Sequence, residues 1–505
     1  MTSGSVAAEA VSLPASSAAQ PGRLSRIATF PAAISALLIL LAVLTVRDRF
    51  DDPDMWWHLR TGQIIATTHH IPQTDIFSYT TNHHAYIPHE WLAQVLIYAA
   101  YAAHGLSGLM CFECAVTAAI LVFGFFLCKL LSGTIRTGFL GAMIIWLFGT
   151  SGFAVRPQDV GYLLLIFELT LLHLGRTRNV RWFLLLPPLF AVWVNCHASF
   201  FLGFAVAAAY FVASFFAFDR GMLSAVPWTP AARRTLGAAV AVSALALLLN
   251  PTGIRLILYP LNTQLSQKIT TAVVSEWQPL AFNQGRAYAL LAVLAAILIG
   301  PGVARVRLHL HEAITLAIAT FLALNHIRLV FPFGIIAAPI LARLCAETWR
   351  NETIEQQHPI ANATIIAAAL TISYAAFPST ALLESQVRKC SPVGAVAYIR
   401  SHHLAGPMMN EWNDGGYLIW ALPEHPVFID GRADVYDWAG TTAEFARWAT
   451  LAEPPNLLLD RYHVQFCLVD RNSPMNTAVS LLPNWQRVYS DDLSVIFVRT
   501  SPAGT

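Results

Sequence analysis

The chain has 505 residues, 56% of them hydrophobic and 12% charged, with a mean hydropathy of +0.54 and a formal charge of +2. Soluble domains carry about 25% charged residues, so half that figure, with repeated apolar runs, excludes a soluble multidomain enzyme and points to a polytopic α-helical membrane protein. The near-balanced charge, without a basic stripe or an aromatic-basic module, offers nothing for a nucleic acid to bind.

Residues 1 to 22 are rich in Ala and Ser, and Arg23 and Arg26 precede an apolar run from Ala28 to Val46. A cleaved signal peptide has a shorter apolar region and a small-residue cleavage site, whereas this run is long enough to span. The reading is a disordered cytoplasmic tail over 1–27 and an uncleaved first helix. Further runs lie near Leu109–Leu131, Gly138–Val155, Val160–Leu174, Trp182–Val194, Phe200–Phe218, Thr235–Leu249, Ala287–Val303, Ala313–Leu324, Leu329–Leu344 and Ile360–Phe377, for about eleven spans in a membrane domain over 28–383. Lys and Arg of short loops favour the cytoplasm. With Arg26 inside, Lys129 and Arg136, then Arg176, Arg178 and Arg181, then Arg220, Arg233 and Arg234, then Arg305 and Arg307, then Arg343 and Arg350 all fall on that side. The expected location is a bacterial inner membrane, multi-pass, with the N-terminus cytoplasmic and everything after about 383 extracytoplasmic.

The alternate loops hold different chemistry. The first, over 47–108, opens with "DDPDMWWHLRTG" and continues to "IPHEW"; later ones carry "VRPQD" at Val155–Asp159, "WVNCHAS" at Trp193–Ser199, "SEWQP" from Ser275 and "NHIRLVFP" from Asn325. Acids, amides, histidines and single arginines beside Trp and Pro point to a polar site at the outer surface. Asp52-Pro53-Asp54 reads in two ways. Asp at the N-cap, Pro at the first helical position and an acid in the first turn start a helix, here running to about Ala66 with Trp56 and Trp57 as headgroup anchors. One capping acid suffices for that, and the second carboxylate is left for function, with His58 four residues on and on the same face as Asp54. Glu90 is either another helix-start acid or a partner of the Asp cluster. His69, His70, His83, His84 and His89 show no fixed zinc-ligand spacing. Arg156 and Arg328 either snorkel to headgroups or hold the phosphate of a lipid-linked substrate; Gln158, Asn195 and His326 beside them favour the second, and His197 and Glu276 join the candidate substrate contacts. Glu168, deep in an apolar run, is either functional or a helix–helix hydrogen-bonding group.

Beyond 383 the pattern turns soluble. "PMMNEW", "PVFID", "VQFCLVD" and "LSVIFVR" read as strands and "TTAEFARWATLA" as a helix, giving a small extracytoplasmic α/β domain over 384–505. Asp430 and Asp470 end two of those strands, a position where ligands bind in open sheets, while "DGR" at Asp430–Arg432 reads first as a turn. The seven cysteines follow no zinc spacing; Cys111 and Cys114 read as packing, and spacing does not establish a bridge between Cys390 and Cys467.

With the first-loop acids, the many spans and the terminal domain together, the chain resembles the GT-C superfamily of polyprenyl-phosphate-dependent glycosyltransferases. "DDPDMWWHLRTGQII", "IPQTDIFSYT" and "HEWLAQVL" look like the first outer loop of bacterial members, and "NEWNDGGYLIWALPEHPVFIDGR" is distantly similar to the Trp-Trp-Asp-Tyr-Gly region of oligosaccharyltransferases. Trp412, between Glu411 and Asn413, departs from that paired-Trp pattern. The resemblance implies that an acid of the first loop, Asp54 or Asp52, acts as base or metal ligand at the acceptor, and that a sugar moves from a polyprenyl-phosphate carrier to a glycan, lipid or protein. A divalent cation, Mg or Mn, would be held with help from Glu90. Two other classes compete: a transporter or flippase of lipid-linked or small polar substrates, which expects midplane polar groups and internal repeats, and a noncatalytic assembly protein, whose acids would bond only to caps and loops.

Overall fold

The computed structural model describes residues 26–81, 83–150, 152–266, 268–348 and 358–500, so most of the expected tail, and Arg350, lie outside it. Each of the expected apolar runs overlaps a helix, although the helices of Gly138–Val155 and Phe200–Phe218 stop early, at Gly149 and Ala213. Among the described residues five helices are long and apolar enough to cross a membrane: Trp91–Ser132, Pro157–Thr177, Gly285–Ala304, Ile327–Thr348 and Pro359–Ala376. Shorter apolar helices occupy Phe30–Val46, Ile135–Gly149, Val180–Cys196, Phe200–Ala213 and Leu310–Asn325. The first starts as its sequence dictates, with the Thr29 hydroxyl accepting from Ala32 N at 3.3 Å and Pro31 in the first turn. The long helix Trp91–Ser132 is broken at His104 and Gly105, where the backbone leaves helical geometry and Gly105 takes φ +58°. That break separates the amphipathic stretch of the first loop from the apolar run.

The bundle is centred on Ile327–Thr348, which packs against Ile135–Gly149, Trp91–Ser132, Leu310–Asn325 and Gly285–Ala304. Pro359–Ala376 rests on Phe30–Val46 and keeps Ile360 and Tyr374 exposed, as an apolar face in lipid requires. At the end of the bundle away from the first loop, Arg343 is not a loop cation but a buried one. Its guanidinium donates to Glu312 Oε1 at 2.8 Å and Oε2 at 2.5 Å, and to Glu347 at 2.6 Å. Glu168 is buried with neither oxygen hydrogen-bonded among the described residues, so of its two readings the helix–helix bond is not made.

After residue 383 a mixed sheet forms from β4 (Met408–Asn410), β5 (Phe466–Asp470), β6 (Trp485–Ser490) and β7 (Ser494–Arg499), numbered after a small sheet of β1 (Phe218–Arg220), β2 (Leu223–Ala225) and β3 (Leu308–His309). Its order is β4-β5-β7-β6; β4 and β5 run parallel and the other pairs antiparallel. Side chains alternate between two buried faces. Met409, Cys467, Val469, Val495 and Phe497 meet Phe428, Tyr436 and Trp448 on one face. Met408, Phe466, Leu468 and Ile496 meet Leu418, Ile419 and three first-loop residues, Trp57, Phe77 and Tyr86, on the other. Burial on both faces explains why these strands read as continuous apolar runs. Two expectations fail here. "PVFID" is not a sheet strand: Asn410 takes its polar groups by side chain, accepting from Phe428 N at 2.7 Å and donating to Ile429 O at 2.8 Å. Val427 pairs instead with Ser78 of the first loop. Nor do Trp56 and Trp57 anchor at headgroups. Both are buried, Trp57 in the terminal core and Trp56 edge-on to Tyr417 with ring centres 5.2 Å apart. All seven cysteines, Cys390 and Cys467 included, are free thiols.

The first loop is tied to the terminal unit by Arg432. Its guanidinium donates to Asp430 at 2.9 and 2.6 Å and to Asp75 at 2.6 Å, with all three side chains buried. The Tyr436 hydroxyl completes Asp430 at 2.5 Å, and Thr81 donates to Asp75 at 2.7 Å. Breaking a buried pair by removing one partner leaves uncompensated charge and costs about 3–5 kcal/mol. Arg432→Met is therefore expected to lower the thermal midpoint sharply and to open the first loop to limited proteolysis between Thr68 and Tyr86; unchanged cleavage and midpoint would contradict this assignment.

Candidate functional site

The helix Asp54–Thr68 begins where the chain needs it. Asp52 Oδ1 accepts from Asp54 N at 2.9 Å, so the first acid caps and the second is released to the first turn. Opposite it, Arg156 precedes Pro157, which holds it in extended backbone (φ −131°, ψ 148°) at the start of the helix Pro157–Thr177. A cation at a helix N-terminus is disfavoured by the dipole, and here three carboxylates offset it. Arg156 binds Asp52 through Nε and, at 2.9 Å, through Nη2; Nη2 also lies 3.1 Å from Asp54, and Nη1 donates to Glu276 at 2.8 Å. Asp54 Oδ1 further accepts from Trp57 Nε1 at 3.1 Å.

These groups open onto a cavity of about 910 Å³ at the end of the bundle where Trp91–Ser132 and Pro157–Thr177 begin and Leu310–Asn325 finishes. Of the residues singled out from the sequence, Asp54, His58, His89, Glu90, Arg156, Gln158, His197, Glu276, His326 and Arg328 line it. Asp52 does not; it is spent on the helix start and on Arg156. Asn195 does not either, because its amide accepts from Trp91 Nε1 at 2.7 Å and donates to Ala191 O and Leu249 O at 2.7 and 2.9 Å. His69, His70, His83 and His84 are exposed and away from the cavity. Glu90 partners histidines, not the Asp cluster. His58 Nδ1 lies 3.6 Å from it, and His89 Nε2 and His197 Nε2 lie 3.5 Å from it.

Burial sets the electrostatics. Desolvation lifts the Asp54 carboxyl from its ordinary 3.8 to about 7, with the Asp52 and Glu276 charges adding to the rise against the pull of Arg156. Burial pushes His58 and His197 down to about 3, so both are neutral. Burial acts the same way on His89, but the Glu90 charge overrides it and holds the imidazole above its usual range. Burial raises Glu276, and Arg156 and Arg328 outweigh it, so Glu276 stays ionised. Arg328 forms no close ion pair among the described residues, although its charge reaches Glu276; its guanidinium lies 4.6 Å over the Trp277 ring, and His326 Nδ1 lies 2.9 Å from Trp277 O.

Sequence reading missed what the terminal unit contributes. Gly431 approaches Asp54 so closely that a Cβ there would sit 1.8 Å from Asp54 Oδ1. Asp434, on the helix Ala433–Ala439, lines the cavity and bonds the Tyr259 hydroxyl, and Tyr259 stacks on His89 with ring centres 4.3 Å apart. The "DGRAD" run, two acids and a guanidinium around one glycine, was the available signal. The lower wall is apolar: Phe201, Leu202 and Ala205 face Ile318, Phe321 and Leu322. It runs out to an exposed surface, where Phe321 is 67% accessible.

The divalent cation implied by the resemblance does not fit this donor set. The oxygens of Asp52 and Asp54 and one of Glu276 are engaged by Arg156 and Trp57, Glu90 is boxed by imidazoles, and no group of three or more His, Cys, Asp or Glu among the described residues has the geometry to hold a metal.

No family model matches the chain, and no curated protein matches it. Solved structures do. The oligosaccharyltransferase AglB of Archaeoglobus fulgidus, in complex with an inhibitory peptide and a dolichol-phosphate, aligns at 13% identity over 86% of this chain and 69% of its own, with a TM-score of 0.51. The oligosaccharyltransferase of that organism tethered to an acceptor peptide aligns at 14% identity over 86% and 68%, also at 0.51. ArnT from Cupriavidus metallidurans in the apo state aligns at 12% identity over 93% and 97%, again at 0.51. These are polyprenyl-phosphate-dependent enzymes of the GT-C superfamily, and this chain has their fold.

A carboxyl with a raised folded-state pKa holds its proton where the unfolded chain has released it, so stability falls as pH rises between the two values. For Asp54 that window runs from 3.8 to about 7. The wild-type thermal midpoint, measured against that of Asp54→Asn, is expected to decline across this window and level off above it; a difference independent of pH would show that Asp54 is not desolvated.

Proposed function

We propose that the protein is an integral-membrane glycosyltransferase that moves a sugar from a polyprenyl-phosphate carrier to an acceptor. One observation carries the reading: a single cavity joins a carboxyl that ionises near pH 7, a guanidinium that forms no ion pair among the described residues, and an apolar wall that runs out to an exposed surface. The chain takes its place in a bacterial inner membrane, with the N-terminus cytoplasmic and the cavity outside. The unit over 384–505 roofs the membrane domain over 28–383. The likeness in fold to AglB, whose structure holds a dolichol-phosphate and a peptide, supports a lipid-linked donor and a separate acceptor.

In this reading the carrier's isoprenoid lies against Phe201, Leu202, Ile318 and Phe321, and its phosphate meets Arg328 and His326. Arg156, expected from the sequence to share that task, is occupied by Asp52, Asp54 and Glu276. Neutral His58 and His197, with Glu90 and Asp434, offer hydrogen bonds to sugar hydroxyls. The acceptor oxygen attacks the anomeric carbon from the side opposite the phosphate, the bond from that carbon to the phosphate oxygen breaks, and its electron pair leaves on the polyprenyl phosphate. Asp54 takes the acceptor proton, and Arg328 stabilises the charge gained by the leaving phosphate. The transport reading expects its chemistry near the middle of the bundle. Glu168 is there, but the convergent polar groups lie at one end.

A positioned general base contributes about 10²–10⁴ in rate. Asp54→Asn is expected to lower transfer by that factor, and the wild-type rate to rise with pH to a plateau just above 7, since only the carboxylate accepts a proton. Arg328→Ala is expected to weaken polyprenyl-phosphate binding. Lipid-linked sugars and surface glycans, profiled in cells with the gene, without it and with each variant, test the reading; glycans unaffected by deletion and by Asp54→Asn would reject it.

A further inference from the structure

We propose that Arg156 is the resident cation of this site: its guanidinium occupies the position among Asp52, Asp54 and Glu276 that a divalent ion would otherwise fill, and it closes that position to metals.

Three carboxylates from two separated segments converge on one point: Asp52 and Asp54 at the start of the helix Asp54–Thr68, and Glu276 on the short helix Ser275–Trp277. Carboxylates this close need a cation or a proton between them, and a hard divalent ion with oxygen ligands is a common choice. Here all three guanidinium nitrogens are engaged. The Nε and Nη2 edge grips Asp52 with both oxygens, Nη2 reaches on to Asp54 at 3.1 Å, and Nη1 holds Glu276 at 2.8 Å. The fork geometry suits this task and an ammonium does not, because a guanidinium is planar, always charged and donates in three directions. Its backbone is fixed by Pro157 and by the loop closure in which Asp159 Oδ2 accepts from Ala154 N at 3.3 Å. The Arg156 side chain is only 16% exposed, so the guanidinium is a fixture of the wall and not a surface group that happens to fold over.

The charge balance agrees. One guanidinium cannot neutralise three carboxylates, and the deficit falls on Asp54, which keeps its proton to about pH 7 through burial and through the Asp52 and Glu276 charges. A divalent ion in the same place would leave all three acids ionised. Arg156 thus acts as a positioning residue, holding Asp54 at the cavity wall through a contact that needs no metal supply.

The proposal concerns the site used by the transfer reading, but its test reads metal binding alone, so either can fail without the other. Purified full-length protein, stripped with a chelator, is titrated with MnCl2 while free Mn²⁺ is followed by electron paramagnetic resonance. Wild type is expected to show no stoichiometric site. Arg156→Gly is expected to gain one Mn²⁺ per chain at an affinity at least about 10-fold above wild type, and to lose it on adding Glu276→Gln. A stoichiometric wild-type site that Glu276→Gln removes would overturn the proposal, as would a folded Arg156→Gly that binds no more Mn²⁺ than wild type. If Arg156→Gly does not fold, Arg156→Lys decides: its single ammonium cannot bridge three carboxylates, so it too is expected to admit Mn²⁺, and affinity equal to wild type refutes the idea.

Discussion

The cavity exists because one buried guanidinium holds two distant parts of the chain together. Arg432 binds Asp430 beside it and Asp75 of the first loop, which stands 357 residues away along the chain. Desolvating three charges is costly, and the structure offsets that cost with near-complete hydrogen bonding from Tyr436, Thr81, Ser78 and the backbone of Phe77. Aromatic faces of Phe77 and Tyr86 lie over the same guanidinium at 4.8 and 5.1 Å. Gly431 on one side of Arg432 and Asp434 on the other reach the cavity wall beside this tie, and Trp412 and Asn413 join them from the same unit. The first loop is fixed with it, since Trp57, Phe77 and Tyr86 are part of the terminal core.

The two arginines that stood out in the sequence have opposite fates. Both lie at helix ends next to proline-bearing segments, and composition does not distinguish them. Arg156 faces Asp52, Asp54 and Glu276 and is fully committed within the protein; Arg328 faces the ring of Trp277 and keeps its charge available to the cavity. One is paired with three carboxylates and the other lies over an aromatic ring. A cavity with both has a defined polarity, from the pinned acids across to the available guanidinium.

What could be read from the sequence follows the range of the interactions. Apolar runs give helices because local hydrophobicity alone decides them, and the helix after Pro53 begins within a residue or two of where Asp and Pro place it. Most of the singled-out polar residues do share one cavity, because loops at one end of a bundle converge whatever their detailed pairing. The failures are all contacts between segments far apart in the chain. Asn195 looked like a substrate amide until Trp91, 104 residues earlier, claimed it. "PVFID" had strand periodicity but gave its pairing to Ser78. Trp56 and Trp57 had the composition of interfacial anchors, yet the terminal unit covers them. No local pattern encodes Asp434 as a cavity residue, since its place depends on Arg432 reaching Asp75.

The close approach of Gly431 to Asp54 carries a consequence for the timing of synthesis. A ribosome delivers Asp54 before any of the long helices and Gly431 after all of them. Until the last segment docks, the acid has no roof: it is hydrated and ionised at ordinary pH, without Gly431 packed against it. The environment that distinguishes Asp54 from any surface aspartate is therefore a property of the finished chain.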